Sequence, residues 1–514
     1  MFPLFRPKSR RLIQILRSGL GAITAIILLL ALAACDPPSA ASEGGGAVRV
    51  AFSDAMDSLD PIMNIDSRVI QLSIFDSLTE TKADGSLGPQ LARSWSSNAD
   101  ATVWTFTITA DAKWPDGSAV TTDDVLFTFN TIINTPTSPN KPYLETVKRI
   151  EKTGDNEIQF TLRHPFASWP RQLTLISVVP RKIYQAMGAT AFAEKPVGSG
   201  PYRVTAWQRG GELALTANPN YWGGAPDIAK VTYVPVPDGV ARFNGIQSGD
   251  LDIVALTPQQ VALAKQFPNI SVTTTPSNKV VYLGFNVTNL ALNAKLRQAA
   301  GYAIDRRTIT QYLLRGLSQP IGQLVAQVSF GYDPSVEPTP YDPEKAKSLV
   351  VESGYSGAPI IFEYPTDGVI PLPNQLAQAI EGYLQAAGIN LRMRGMDQRS
   401  LAADWIAKKM QGMYMFSYNP STMDAELVTG SLFAPTGVGY FNDPIVNALE
   451  EQQQAQADQT ERAATLGRLW RYNQEQAYYL PLINDTYTYA SVASKVRFTP
   501  RADGYILPQD LHKP

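Results

Sequence analysis

The chain has 514 residues, 44% of them hydrophobic and 18% charged, with 44 basic against 46 acidic side chains, two histidines and one cysteine. At roughly 100 to 200 residues per domain this length implies two to four lobes, and the composition excludes extensive disorder. The balance, slightly acidic overall and more so without the basic residues near its start, disfavours nucleic acid as a partner, and a single cysteine excludes an internal disulfide.

The first segment differs from the rest. Arg6, Lys8, Arg10, Arg11 and Arg17 precede an apolar run from Gly19 to Ala34, and no acidic residue occurs among them. This is the pattern of a secretory signal, since the run is short for a spanning helix and ends in small residues. Leu32-Ala33-Ala34-Cys35 resembles the lipobox of bacterial lipoproteins, which implies a signal peptide over 1–34 and acylation of Cys35. Several acyl chains make a stable anchor where one is marginal. Asp36 to Ala47 is rich in Pro, Ser, Ala and Gly and suits a spacer, so that 35–47 link anchor to fold. Without the leader the count falls to 39 basic against 46 acidic.

From Val48 the pattern is globular. Trp104, Phe106 and Ile108 alternate with polar residues, as do Ile158, Phe160 and Leu162, so both segments are expected as half-buried antiparallel strands. Trp114 to Gly117 is expected to end a strand, and Gly198, Gly200 and Pro201 to make a turn. Asn293–Ile304 places Leu296, Ala299, Ala300, Ala303 and Ile304 on one helical face. Asp305 is set to cap a second helix that stops at Gly316. Asp342 caps a helix with Pro343 at its first position and Gly354 beyond its end. Pro359–Tyr364, Leu376–Ala387 and Ile389–Met393 read as a strand, a helix and a strand. These elements imply α/β lobes over about 48–280 and 281–480, with 481–514 returning to the first.

Several stretches together resemble the dipeptide- and oligopeptide-type (family 5) extracellular solute-binding proteins of ATP-binding cassette importers. The likeness rests on Gly88-Pro89-Gln90-Leu91-Ala92-Arg93-Ser94-Trp95, Trp104-Thr105-Phe106, Ala112-Lys113-Trp114-Pro115-Asp116-Gly117 and Asp123-Asp124-Val125 with Phe127. Pro196 to Tyr202, Asn218-Pro219-Asn220-Tyr221-Trp222, Gly284-Phe285-Asn286, Leu296-Arg297-Gln298-Ala299 and Ala303-Ile304-Asp305-Arg306 follow in the family's order. The resemblance implies a two-lobed periplasmic binding protein-like fold of class II type, with an extra domain in the first lobe and a hinge. It implies a periplasmic, lipid-anchored monomer that closes on a peptide or other small molecule and presents it to an inner-membrane permease.

Such a receptor needs no catalytic group. His164 and His512 are the only histidines and no cysteine other than Cys35 exists, so neither a Cys-His pair nor a histidine-rich metal site can form; no enzyme activity, cofactor or metal is expected. In peptide-binding relatives the ligand's amine is held by an aspartate three residues after a tryptophan and three before an acidic residue. The matching segment here is Tyr418-Asn419-Pro420-Ser421-Thr422-Met423-Asp424, which sets Tyr418 in place of the tryptophan and Ser421 in place of the aspartate. Either Asp424 takes over the amine, or the ligand lacks one, as in an opine-like conjugate or glycoside. Phe285 and Asn286 border the expected cleft, and Arg392, Arg394 and Arg399 are candidates for a ligand carboxylate. A sensory binding protein is the remaining alternative, because one closed form can be read by either kind of partner.

Overall fold

The computed structural model describes residues 47–53, 56–368 and 370–514. The leader, Cys35 and all of the spacer except Ala47 lie outside the described residues. The centre is an eleven-stranded mixed sheet. From one edge it runs Leu391–Met396, Ile360–Pro365, Met413–Tyr418, Ile270–Phe285 and Tyr479–Val492. It continues through Ile253–Ala255, Val48–Phe52, Lys230–Pro235 and Leu213–Ala217 to Tyr202–Trp207, while Gln319–Pro320 pairs with Tyr479–Val492 off this path.

Two strands hold the sheet together. Ile270–Phe285 and Tyr479–Val492 pair antiparallel from Ile270 opposite Val492 to Gly284 opposite Tyr479. At one end Tyr479–Val492 also pairs with Ile253–Ala255, and at the other Ile270–Phe285 pairs with Met413–Tyr418. Midway the register shifts between Pro276 and Val280. There the Asn484 amide donates to the carbonyls of Ser277 and Lys279, at 2.8 and 2.9 Å, which satisfies backbone acceptors that the broken ladder leaves over. The expected boundaries near 280 and 480 fall inside these two strands.

The apolar side chains gather on either side of that irregularity. One core takes residues from Val48 to Ile253 together with Tyr489, Val496, Phe498, Ile506, Leu507 and Leu511 of the tail. Two others draw on residues 281–483. Within the first core, Val103–Ile108 and Glu157–Leu162 pair antiparallel in a separate four-stranded sheet, Trp104 opposite Phe160. The alternation seen in the sequence buries Trp104, Phe106, Ile108, Ile158, Phe160 and Leu162, each worth about 1.5–3 kcal/mol of apolar burial.

The helices expected from their caps form where local chemistry specifies them. Asp342 accepts from the Lys345 amide ahead of Pro343–Glu352, and Gly354 follows at φ +69°. Ile360–Pro365 and Leu391–Met396 are parallel and joined through the helix Pro373–Ala386, a β-α-β unit. Asn293 caps Ala294–Ala303. The helix after Asp305 departs from expectation: its first turn, Arg306–Thr308, widens into a π-turn over Ile309–Leu313.

The recognised motifs prove to be packing devices. Trp114 to Gly117 does not end a long strand; it forms a tight turn in which the Trp114 amide donates to the Ser118 carbonyl at 2.9 Å. Gly198 and Gly200 lie against the backbone of Ile74, where an added Cβ would stand 2.0 and 2.6 Å from its carbonyl oxygen. Close approach is what demands glycine there. Buried Asp76 gathers four motif residues, accepting from Gln90 (2.9 Å), Ser199 (2.8 Å), Tyr221 (2.8 Å) and the Trp222 indole (3.0 Å). Burial nevertheless pushes its carboxyl pKa up.

Candidate functional site

Two adjoining cavities lie where the first core, the carboxy-terminal tail and the loop after Met413–Tyr418 meet. The larger, about 420 Å³, is walled by Phe52, Tyr233, Tyr487, Tyr489 and Tyr505, with Asn419 reaching in from that loop. The smaller, about 70 Å³, brings Ser421 of the same loop to Glu80, Arg501 and Asp510. Arg68, Asp503 and Tyr505 line both cavities. Aromatic walls with a few fixed polar groups are the composition of a small-molecule site, and the larger volume is at the small end of the usual range.

The strand positions explain the walls. Tyr487 and Tyr489 alternate along Tyr479–Val492, and Tyr233 and Phe52 belong to the paired strands Lys230–Pro235 and Val48–Phe52. Their rings are braced: the Tyr233 hydroxyl donates to Ile506 O at 2.6 Å, that of Tyr489 to Gly504 O at 2.8 Å, and that of Tyr487 to Asn278 Oδ1 at 3.1 Å. Phenol groups held this way present fixed faces to a ligand.

The charges at the site are unequal in their partners. Arg501 is clamped by Asp503, at 2.7 Å, and by Asp510, at 2.8 Å. Burial works against its cation, but the two carboxylates outweigh it and hold the guanidinium pKa above its ordinary value. Glu80 faces the same group; burial raises its pKa, and Arg501 offsets only part of that. Arg68, at the junction of the two cavities, donates to the Leu175 carbonyl and to Asn140 Oδ1 at 3.5 Å.

Of the side chains expected to meet ligand, Asn419 and Ser421 line these cavities and the others are engaged elsewhere. The Tyr418 hydroxyl donates to Leu427 O at 2.8 Å and lies 2.6 Å from Ser431 Oγ. Asp424 is fully buried, caps Ala425–Leu432 through the Glu426 amide, and accepts from the two terminal guanidinium nitrogens of Arg462, at 2.9 and 2.5 Å. Phe285 sits in a core, and the Asn286 amide donates to Met410 O at 2.8 Å. Arg394 pairs with Glu363 at 2.8 Å; Arg392 and Arg399 are exposed.

Sequence reasoning passed over Arg68, Tyr487, Tyr505 and Arg501. The expectation that the tail returns to the first lobe was the one signal bearing on the last three, because a segment crossing between lobes borders whatever lies between them. Nothing in the local sequence marks Arg68. A larger depression, about 710 Å³, is lined only by residues 298–480 and so is not walled by both sets of cores. Among the described residues, no cluster of three or more His, Cys, Asp or Glu side chains is placed to hold a metal, and no helix is long and apolar enough to cross a membrane.

Comparison with known proteins bears on the family and the fold. The family model described as bacterial extracellular solute-binding proteins, family 5, matches residues 86–440. The probable D,D-dipeptide-binding periplasmic protein DdpA of Escherichia coli K12 is 26% identical over 454 residues, covering 84% of this chain and 87% of that protein. The structure of HbpA2 from Haemophilus parasuis superimposes with a TM-score of 0.82 at 20% identity, covering 91% of this chain and all of that one. The periplasmic binding protein DppA of Helicobacter pylori, in complex with the peptide STSA, gives a TM-score of 0.75 at 21% identity, covering 91% and 98%. The fold is therefore the two-lobed periplasmic binding protein fold, and the chain belongs to the family 5 bacterial extracellular solute-binding proteins.

Proposed function

We propose that this chain is the receptor of an ATP-binding cassette importer, anchored at the outer face of the membrane by acylated Cys35, that captures a small peptide or peptide-like solute between its lobes and hands it to the permease. The observation that carries this reading is the pair of joined cavities, walled by the first core and tail on one side and by Asn419 and Ser421 on the other. The lobes are taken as 48–280 and 281–480 with the tail 481–514 returning, and the hinge as the irregular stretch near Ser277–Lys279 and Asn484. Ligand shifts such a protein from open to closed, and binding rather than catalysis is its work. The D,D-dipeptide and the peptide STSA named with two relatives support peptide cargo.

Ser421 favours a second reading. An enclosed ammonium gains a charge-assisted hydrogen bond from a carboxylate that a hydroxyl cannot supply. A ligand without a free amine, such as an opine-like conjugate or a glycoside, fits Ser421 without that loss. Mass spectrometry of solutes released from purified protein lacking residues 1–35, followed by thermal titration with the compounds found, tests both. Released peptides that raise the midpoint support the first; stabilisation by an amine-free solute alone supports the second; no stabilisation by any released compound overturns the receptor reading.

A further inference from the structure

Arg68 differs from the other deeply buried arginines of this protein. Arg297 donates to three carbonyls, those of Ala477, Leu292 and Gln476. Arg306 donates through Nε and Nη1 to the carbonyls of Pro481, Gly301, Ile304 and Thr339; its Nη2 has no hydrogen-bond partner, but it lines neither cavity. Arg462 has Asp424, and Arg501 has Asp503 and Asp510. Arg68 is 7% exposed, yet it has only the Leu175 carbonyl, a 3.5 Å contact to Asn140 and the face of Tyr143, 5.9 Å from its centroid.

A guanidinium offers five N–H donors in a planar fork, so Arg68 keeps donors unused at the one place where both cavities meet. No carboxylate of the described residues lies within ion-pair distance of it. Asp503, which lines the same cavities, is already claimed by Arg501 through contacts of 3.0, 3.2 and 2.7 Å. A buried cation left without a counter-ion is unfavourable, and the fold gains by receiving one from outside. Consistent with this, burial lowers the Arg68 pKa, and nearby Tyr505 and Tyr143 oppose that shift only in part.

From this geometry we infer that Arg68 is the ligand's anion anchor: the solute carries a carboxylate or phosphate that enters between the two cavities and pairs with the free edge of the Arg68 guanidinium. The inference rests on the receptor reading above and narrows it to anionic or zwitterionic solutes. It also assigns the role that the sequence offered to Arg392, Arg394 and Arg399. Glu80, which lines the smaller cavity and has no ion-pair partner among the described residues, leaves the other end of a zwitterion a carboxyl group, while Asp510 is engaged by Arg501.

Titration calorimetry on ligand-stripped wild type, Arg68→Gln and Arg68→Lys tests the assignment. The probes are the solutes released on purification, alanyl-phenylalanine, its carboxyl-terminal amide, and inorganic phosphate. Wild type is expected to prefer an acid over its amide, or to bind phosphate or a released anionic solute, by about tenfold or more relative to Arg68→Gln. Arg68→Lys should recover part of the difference. Preference for the free acid points to a carboxylate, and binding of phosphate points to a phosphoryl group. The ligand-free thermal midpoint separates this from a structural role, because losing an uncompensated buried cation should leave it unchanged or raised. A clear fall in that midpoint, or equal binding by wild type and Arg68→Gln, overturns the assignment. Equal, tight binding of a neutral solute overturns it while leaving the receptor reading intact, and a wild type that binds none of the probes overturns both.

Discussion

Arg171 Nε lies 3.4 Å from Asp424 Oδ2, and the two residues come from segments that belong to different hydrophobic cores. Arg171 follows Trp169, which is buried in the first core; Asp424 precedes Ala425, which is buried in a core of residues 282–479. The same guanidinium donates to Gly85 O at 3.1 Å and to Thr422 O at 3.3 Å, so one side chain ties the two segments together. Arg171→Ala should therefore bias the protein toward an open form without unfolding either core. At about 1–2 kcal/mol for a largely buried pair with added hydrogen bonds, ligand affinity falls about five- to thirtyfold. Calorimetry measures the affinity, and small-angle scattering on the ligand-bound protein should show a more expanded particle than wild type.

Asp424 serves stability before it serves any ligand. Arg462 is fully buried against it, with Glu426 a further 4.0 Å contact. Replacing Asp424 by Asn leaves that cation short of its main partner, and such losses cost about 3–5 kcal/mol. Burial opposes the Asp424 carboxylate, but Arg462 together with Arg171 and the Glu426 amide outweighs burial and holds its pKa below the usual range. A depressed carboxylate pKa contributes stability above its unfolded value of about 3.9, and that contribution fades as pH falls through the folded value. Urea unfolding should thus show a large deficit for Asp424→Asn at pH 7 and a smaller one at pH 3. An unaltered ligand-free stability at pH 7 would return Asp424 to the list of free ligand partners.

The parts of this fold that could be read from sequence are those specified within a few residues. Asp342, Pro343 and Gly354 state the ends of one helix locally, and the alternation at Trp104, Phe106 and Ile108 states a strand face. The motifs around Gln90, Ser199 and Trp222, on which the family resemblance rests, converge on one buried carboxylate, Asp76. The site was less legible because its contacts are remote. Arg68 meets Leu175 and Asn140 from 107 and 72 residues away, and Asp424 meets Arg462 across 38. Asp424 read as a ligand carboxylate because nothing near it in sequence announces a buried cation.

Glu450 carries the opposite sign from Asp424. It is 3% exposed; its Oε1 accepts from Thr429 and Gln454, both at 3.1 Å, while Oε2 has no hydrogen-bond partner. Burial first, and then the neighbouring Glu426, push its pKa well above the ordinary glutamate value. A raised carboxylate pKa brings no penalty below the unfolded value near 4.3 and a growing one as pH rises from there through the folded value. Glu450→Gln removes the charge and keeps the acceptor, so it should stabilise by about 1–3 kcal/mol at pH 7.5. The advantage should shrink as pH approaches about 4, and denaturation curves at the two pH values measure it. A less stable variant at pH 7.5 would mean that Arg462 needs Glu450 as a counter-charge.

Ser421 allows the amine question to be put directly. It lines the smaller cavity, opposite Glu80 and Asp510, at the position where peptide-binding relatives are expected to carry an aspartate. Ser421→Asp restores that carboxylate without touching the buried Asp424–Arg462 pair. If the ligand's amine reaches this wall, a free-amine peptide should bind the variant about tenfold or more tightly than it binds wild type, through a charge-assisted hydrogen bond of about 1.5–3 kcal/mol. Its N-acetylated counterpart should gain nothing. Equal changes for both peptides would place the amine elsewhere, and weaker binding of both would mean that the added charge opposes the ligand's own anion in a cavity already lined by acids. Comparative calorimetry on the two peptides separates the three outcomes, since only the difference between them reports on the amine.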